Sequence, residues 1–194
     1  MYTLAVVDLA AFDYDLPAAA IAQEPAPCRD GSRLLLIDRR RSALADHRFV
    51  DLPDLLDPGD CLVVNDSRVI PARVRGRDGE GRPVELLFVA AAGDGRWRAL
   101  VRPGRRVRPG SEVSAGAEME ARLRVTAVVA DGERLVERLD GTIEALLAGS
   151  GEPPLPPYIL RRPTPTARDR ERYQTVYAGP PGSVAAPTAG LHFT

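Results

Sequence analysis

The chain has 194 residues, a formal net charge of −1 and an apolar fraction of 44%, enough for one sizeable domain or two small ones and without the bulk positive charge of a general nucleic-acid binder. Apart from two histidines every basic side chain is arginine, since the sequence contains no lysine; Schiff-base and lysine general-base mechanisms are thereby excluded, while planar, bidentate recognition of phosphate or carboxylate stays available. No apolar run approaches the roughly 18 residues that span a bilayer, the N-terminus lacks the basic flank of a signal peptide, and Cys28 and Cys61 have no metal-ligand spacing, so a soluble cytoplasmic protein with buried or incidental thiols is expected.

In chain order, Pro17 opens a short helical pattern in LPAAAIAQEP and Pro25 closes it. RLLLID (Arg33 to Asp38) is a continuous apolar run that can pair with ALADHRF (Ala43 to Phe49) across the polar RRRS turn. DLPDLLDPGD predicts one or two helical turns ended by Pro58-Gly59, and CLVVND (Cys61 to Asp66) predicts a buried strand, apolar on both faces. From Val69 to Leu139 the texture changes to short β-rich stretches, RVIPARVRG, RPVELLFVAA, RWRALVRPG, ARLRVTAVVA and ERLVERLD. The breaks between them are Asp78-Gly79, Gly93-Asp94-Gly95, Pro103-Gly104, Pro109-Gly110 and Asp131-Gly132. Such spacing predicts a small antiparallel barrel, which removes its own edges by closing. TIEALLAG then predicts a helix with Ile143, Leu146 and Leu147 on one face and Gly149 as its C-terminal cap. After the proline-stiffened GEPPLPPYI, TARDRERYQTVYA is expected to be helical. The expected class is therefore α/β and multi-domain: a mixed α/β domain, incomplete here, with an inserted small antiparallel β-barrel. Residues 1–68 form its first part, 69–139 the barrel, and 140–194 the return to the α/β domain.

Three places can carry chemistry. The predicted strand ends in Asn65-Asp66-Ser67-Arg68, where α/β sheets commonly hold ligands. There Asn65 and Asp66 can grip ribose hydroxyls or a base edge, and Arg68 and Arg73 a phosphate or carboxylate; the alternative is an Asx-type turn with solvated arginines. LVRPGRRVRPG sets Arg102, Arg105, Arg106 and Arg108 around two Pro-Gly turns, with Arg96 and Arg98 upstream. On a barrel rim this segment either contacts a nucleic-acid backbone or is a solvated face. The mixed-sign run RRPTPTARDRER suits helix-surface ion pairs. His47 lies mid-strand among polar neighbours, but His192 follows Pro187-Thr188-Ala189-Gly190, where a glycine permits close approach and an imidazole supplies acid or base near neutral pH. Metal-ligand clusters, a nucleophile elbow and a Walker loop do not occur in the sequence.

Taken in order, FDYDLPAAAIAQEP, SRLLLIDR, HRFVDLPDLLDPGDCLVVNDSRVIPAR, VELLFV, LPPYI, ERYQTVYA and GSVAAPTAGLHFT resemble the successive signatures of the S-adenosylmethionine:tRNA ribosyltransferase-isomerase family of queuosine biosynthesis. The resemblance covers nearly the whole chain and is loosest in the barrel. Ser67 stands where that family usually has threonine, which keeps the hydroxyl. The resemblance implies an α/β domain with an inserted barrel, and transfer of the ribosyl part of S-adenosylmethionine to a 7-aminomethyl-7-deazaguanine at the tRNA wobble position. Epoxyqueuosine would form, with release of adenine and methionine. It implies S-adenosylmethionine as a consumed co-substrate and no metal. The implied partner is tRNA carrying that base, the implied state a cytoplasmic monomer, with no membrane. His192, Thr188 and Asp66 are implied in catalysis; Asn65, Arg68, Arg73, Tyr173, Gln174, Tyr177 and Gly190 in substrate binding. Family chains continue well beyond PTAGLHF, so this one is expected to be the front part of such an enzyme, active in itself or acting only as a tRNA-binding module.

Overall fold

The computed structural model describes residues 8–129, 132–161 and 164–194. After short 3₁₀ turns, its first strands form a hairpin, β1 (Arg33–Asp38) antiparallel to β2 (Ala43–Arg48), with Arg33 opposite Arg48 and Asp38 opposite Ala43. The turn forms where expected because the Asp38 carboxylate accepts from the amides of Arg40 (2.9 Å) and Arg41 (3.0 Å), and Ser42 takes a positive φ of 51°.

β3 (Arg68–Val69) is a two-residue strand that runs parallel to β10 (Pro181–Ser183). Pro71 follows β3, so the apolar stretch from Arg68 divides and a second strand, β4 (Arg73–Asp78), begins after it. β4 starts a closed antiparallel barrel whose other strands are β5 (Pro83–Gly93), β6 (Arg96–Arg102), β7 (Glu112–Ala115), β8 (Ala121–Val128) and β9 (Arg134–Arg138). The order around it is β4-β5-β6-β9-β8-β7. The period-two pattern drives it: Val74, Leu86, Phe88, Val113, Leu123, Val125 and Val136 all point inward and are fully buried. Gly76 lets β4 and β7 approach, for a Cβ there would stand 2.6 Å from the Ser114 carbonyl oxygen.

Helix α1 (Ile143–Ser150) closes one end of the barrel by laying Ile143, Leu146 and Leu147 into the same core. Thr142 caps it by accepting from the Ala145 amide at 3.2 Å. Trp97 meets Phe88 edge to face at 6.3 Å and donates its indole N–H to Glu144 at 3.0 Å. A second, smaller core of Val69, Leu155, Tyr173 and Ala186 lies among the flanking segments. Helix α2 (Ala167–Arg172) begins with a capping box: Thr166 Oγ accepts from the Asp169 amide (3.1 Å) and Asp169 accepts from the Thr166 amide (2.7 Å). The fold is thus mixed α/β with a closed barrel carried between shorter α/β segments, and no helix of the described residues is long and apolar enough to cross a membrane.

Several expectations need correction. Cys61 to Asp66 form no strand and are exposed, with Val63 86% accessible. A strand exists through a ladder of hydrogen bonds to a neighbour, and among the described residues this run has only one backbone bond to another segment, from the Gly179 amide to the Asp66 carbonyl. LPAAAIAQEP supplies one 3₁₀ turn, Ala18–Ala20. The helical reading of DLPDLLDPGD becomes a 3₁₀ segment, Phe49–Leu55, that stops before Pro58-Gly59. α1 is capped by Gly151, not Gly149. α2 ends at Arg172 with Tyr173 as its C-cap, short of the expected length. β7 was not expected; of the two readings of the cysteines, buried or incidental, their exposure leaves the incidental one. Asp131 of the expected Asp131-Gly132 turn, and Arg162 and Pro163 of the mixed-sign run, lie outside the described residues.

Candidate active site

Four stretches far apart in sequence surround an open cavity of about 300 Å³: residues 22–32, 155–161, 169–173 and 188–192. Proline-rich and 3₁₀ segments hold few ladder hydrogen bonds of their own, so side chains supply the ties. Gln23 receives the Leu160 amide on its Oε1 (2.8 Å) and donates from Nε2 to the Tyr158 carbonyl (3.0 Å). Arg29 donates to the Leu191 carbonyl at 2.9 Å and the Glu171 carbonyl at 3.3 Å. Arg172 donates to the carbonyls of Ala26 (2.7 Å) and Pro27 (3.3 Å). Arg161 donates to Asp169 (2.9 Å) and the Gln23 carbonyl (2.8 Å), and pairs with Glu24 at 3.1 Å.

The same contacts set the electrostatics. Burial, then the neighbouring Arg172 cation, holds the Arg29 guanidinium below its usual pKa, with Glu171 opposing. Burial alone would raise the Asp169 pKa, but hydrogen bonds from Thr166 and Arg161 outweigh it and hold the carboxyl below its usual range. Burial pushes the Tyr173 hydroxyl up.

His192 ends the 3₁₀ turn Thr188–His192 and faces the cavity. Its Nδ1 lies 3.3 Å from the Arg29 carbonyl oxygen. A carbonyl only accepts, so the tautomer that makes this bond carries its proton on Nδ1 and leaves Nε2 free as a base. The ring packs against Phe49 at 5.2 Å, and Phe193 meets Phe49 and Tyr177 edge to face at 5.0 and 5.9 Å.

Of the residues singled out in the sequence, Thr188, His192 and Tyr173 line this cavity. Gly190 lies beneath it, close to protein rather than to open space: a Cβ there would stand 2.5 Å from the Tyr177 hydroxyl and 2.9 Å from Thr175 Cγ2. The strand-end group stands apart, along β3 and β10. Asn65 Oδ1 accepts from the Ser67 amide at 2.9 Å, which is an Asx turn, and the Asp66 carbonyl accepts from the Gly179 amide at 2.7 Å. Arg68 donates to the Ala178 carbonyl at 3.1 Å and is otherwise exposed. Gln174 holds both backbone groups of Val69, at 3.0 and 2.7 Å. Arg73 ties the barrel to the LPPYI segment through the Leu155 carbonyl (2.9 Å), with Glu85 3.7 Å away. Among the described residues no group of three or more His, Cys, Asp or Glu stands together as metal ligands.

Gln23, Arg29, Arg161, Asp169 and Arg172 escaped the sequence reading. Their partners are mostly backbone carbonyls on remote segments, which leave no local pattern. The available signal was that Gln23 and Leu155–Ile159 belong to motifs already singled out, which a pairing of motifs would have joined.

The chain matches the family described as queuosine biosynthesis protein over residues 9–194, and it belongs to that family. It is 50% identical over 186 residues to the S-adenosylmethionine:tRNA ribosyltransferase-isomerase of Moorella thermoacetica, covering 94% of this chain and 53% of that one. It is 50% identical over 192 residues to the enzyme of the same name from Anaeromyxobacter sp., covering 96% and 54%. The chain therefore spans about half the length of the curated relatives it matches. Among solved structures it is similar to the S-adenosylmethionine tRNA ribosyltransferase of Thermotoga maritima, at 34% identity and a TM-score of 0.38, over 72% of this chain and 48% of that one.

Proposed function

We propose that the chain carries out, as part or whole of an S-adenosylmethionine:tRNA ribosyltransferase-isomerase, the transfer and isomerisation of the ribosyl group of S-adenosylmethionine onto 7-aminomethyl-7-deazaguanine at the tRNA wobble position. Epoxyqueuosine forms, and adenine and methionine leave. The observation that carries this reading is the convergence of the AQEP, LPPYI and PTAGLHF segments on one cavity with the His192 imidazole in its wall. On the same reading, residues 1–68 and 140–194 are two portions of one α/β domain interrupted by the barrel of 69–139, and the protein works as a cytoplasmic monomer.

The lining suits the co-substrate. Leu155, Ile159 and Leu191 offer apolar wall, Tyr158 and Glu24 an aromatic face and a carboxylate for a sulfonium, and Arg29 with Arg172 a cationic edge for a carboxylate. The reaction needs proton transfer and ribose binding more than a protein nucleophile. A sulfonium acidifies the adjacent ribose carbon, adenine leaves more readily when protonated, and the attacking amine must be neutral. His192 Nε2 is the group we assign to proton transfer, with the Thr188 hydroxyl beside it. Asp66, Asn65 and Arg68 serve the tRNA side from the β3–β10 edge, and Tyr173, Gln174, Tyr177, Arg73 and Gly190 shape and support the cavity.

The test is adenine release from S-adenosylmethionine with tRNA bearing the aminomethyl base and with the same tRNA lacking the aminomethyl group. Release with the first alone is expected, and His192→Ala should lower it about 100-fold or more. Absence of release from the folded chain would contradict the enzyme reading and leave a tRNA-binding module. Unchanged turnover in His192→Ala would remove the proton-transfer role.

A further inference from the structure

The arginines of the barrel divide into two sets. Along the wall they are neutralised: Arg75 by Glu152 (3.1 Å), Arg98 by Glu133 (3.5 Å), Arg122 by Glu112 (2.9 Å), Arg124 by Glu112 (2.9 Å) together with Glu137 (3.8 Å), and Arg138 by Asp140 (2.8 Å). At the end opposite α1 the balance fails. Arg82 is held by Asp78 (3.0 Å) and Glu80 (2.8 Å) and Arg106 by Asp78 (3.6 Å), but Arg77, Arg102, Arg105 and Arg108 have no carboxylate within 4.0 Å among the described residues. Strand register brings these together: Arg77 on β4 is opposite Pro83, and Arg102 on β6 is opposite Glu85, at the start of the same β5. Arg105 and Arg108 lie on the loop that follows β6. In a chain of net charge −1, positive charge is therefore concentrated at one end of the barrel.

That loop is braced, not loose. Val107 is fully buried, plugging the barrel end. Arg134 donates to the carbonyls of Val107 (3.0 Å) and Gly104 (2.8 Å), Arg106 to Pro83 (2.9 Å), and the Gly110 amide to Val125 (2.8 Å). The remaining guanidiniums make at most backbone contacts, Arg77 with Gly81 (2.7 Å) and Arg108 with Arg105 (3.2 Å). Unpaired arginines on a fixed platform meet a polyanion at a low ordering cost.

We propose that this end of the barrel, through Arg77, Arg102, Arg105 and Arg108, binds the phosphate backbone of the RNA substrate, remote from the His192 cavity and without reading sequence. The choice of RNA over other polyanions rests on the function proposed above. Four phosphate contacts give a salt slope of log K of about −3, from 0.7–0.9 per phosphate.

The experiment is binding of an unmodified tRNA transcript, without S-adenosylmethionine, between about 50 and 200 mM salt. Arg102→Gln/Arg105→Gln should weaken binding ~10-fold at the low-salt end and reduce the steepness of the slope by about 1.4–1.8. Arg122→Gln/Arg124→Gln, which removes charges already paired with Glu112 and Glu137, should stay within about two-fold of wild type. Thermal unfolding of both variants establishes that they are folded. Equal affinity and slope in the first variant, equal weakening in the second, no transcript binding by wild type, or arginine-dependent binding to anionic phospholipid vesicles in place of RNA would each overturn the proposal. Because the probe lacks the reactive base and the co-substrate, a chain that binds it in this way yet releases no adenine contradicts the enzyme reading alone.

Discussion

Along the barrel strands Val74, Leu86, Phe88 and Val136 are sealed from water, while in the β1–β2 hairpin Leu35, Ile37 and Leu44 stand 56%, 62% and 69% exposed. The barrel closes on itself and carries a continuous apolar core. The flanking segments share a buried cluster of Val69, Leu155, Tyr173 and Ala186, the short β3–β10 pairing and the aromatic contacts of Phe49, and are joined around the cavity mainly by side chains holding remote backbone carbonyls. The difference separates stability from chemistry. Burial of apolar area holds the barrel, whereas directional ties place the groups around the cavity, where a small shift in one segment displaces the whole wall.

Substitutions should expose that contrast. Phe88→Ala should cost about 3–5 kcal/mol in urea unfolding, while Leu35→Ala in the hairpin should fall within about 0.5 kcal/mol of wild type. Comparable losses would mean that the two regions share one core.

Asp169→Asn should cost about 2–4 kcal/mol, because it weakens a helix cap and the bond to Arg161 together. Its effect depends on pH. The folded-state pKa lies below the unfolded value of about 3.9, so the stabilisation is present above that value and is lost as pH falls through the folded pKa. Wild type should lose this part of its stability in acid, and Asp169→Asn should lack that step.

Among the losses, a smaller one than at Phe88 or Asp169 is expected at Gly190. An alanine there meets the Tyr177 hydroxyl and should cost about 1–3 kcal/mol. Tyr177→Phe in the same chain should recover part of it, and additive losses would show that the two do not touch.

How much of this was legible beforehand follows the same division. β5, β6 and β8 are long and alternate cleanly, so period and turn residues reveal them. β7 escaped because four residues with Val113 and Ala115 as the inward pair carry little periodicity. The Cys61–Asp66 run reads as a buried strand because its composition does, but composition cannot supply a neighbour to bond with. In the cavity, Thr188, His192 and Tyr173 were legible from motifs. Arg29 and Arg172 were not, because an arginine that grips a carbonyl more than a hundred residues away looks locally like any solvated one.

The most direct test is hydrogen exchange of the chain with and without S-adenosylmethionine. Residues 22–29, 155–161 and 188–193 should slow together on addition of S-adenosylmethionine, while the barrel strands, expected to hold the slowest amides, stay unchanged. Protection confined to the β3–β10 edge, or no response at saturating co-substrate, would contradict a single cavity built from these three motifs.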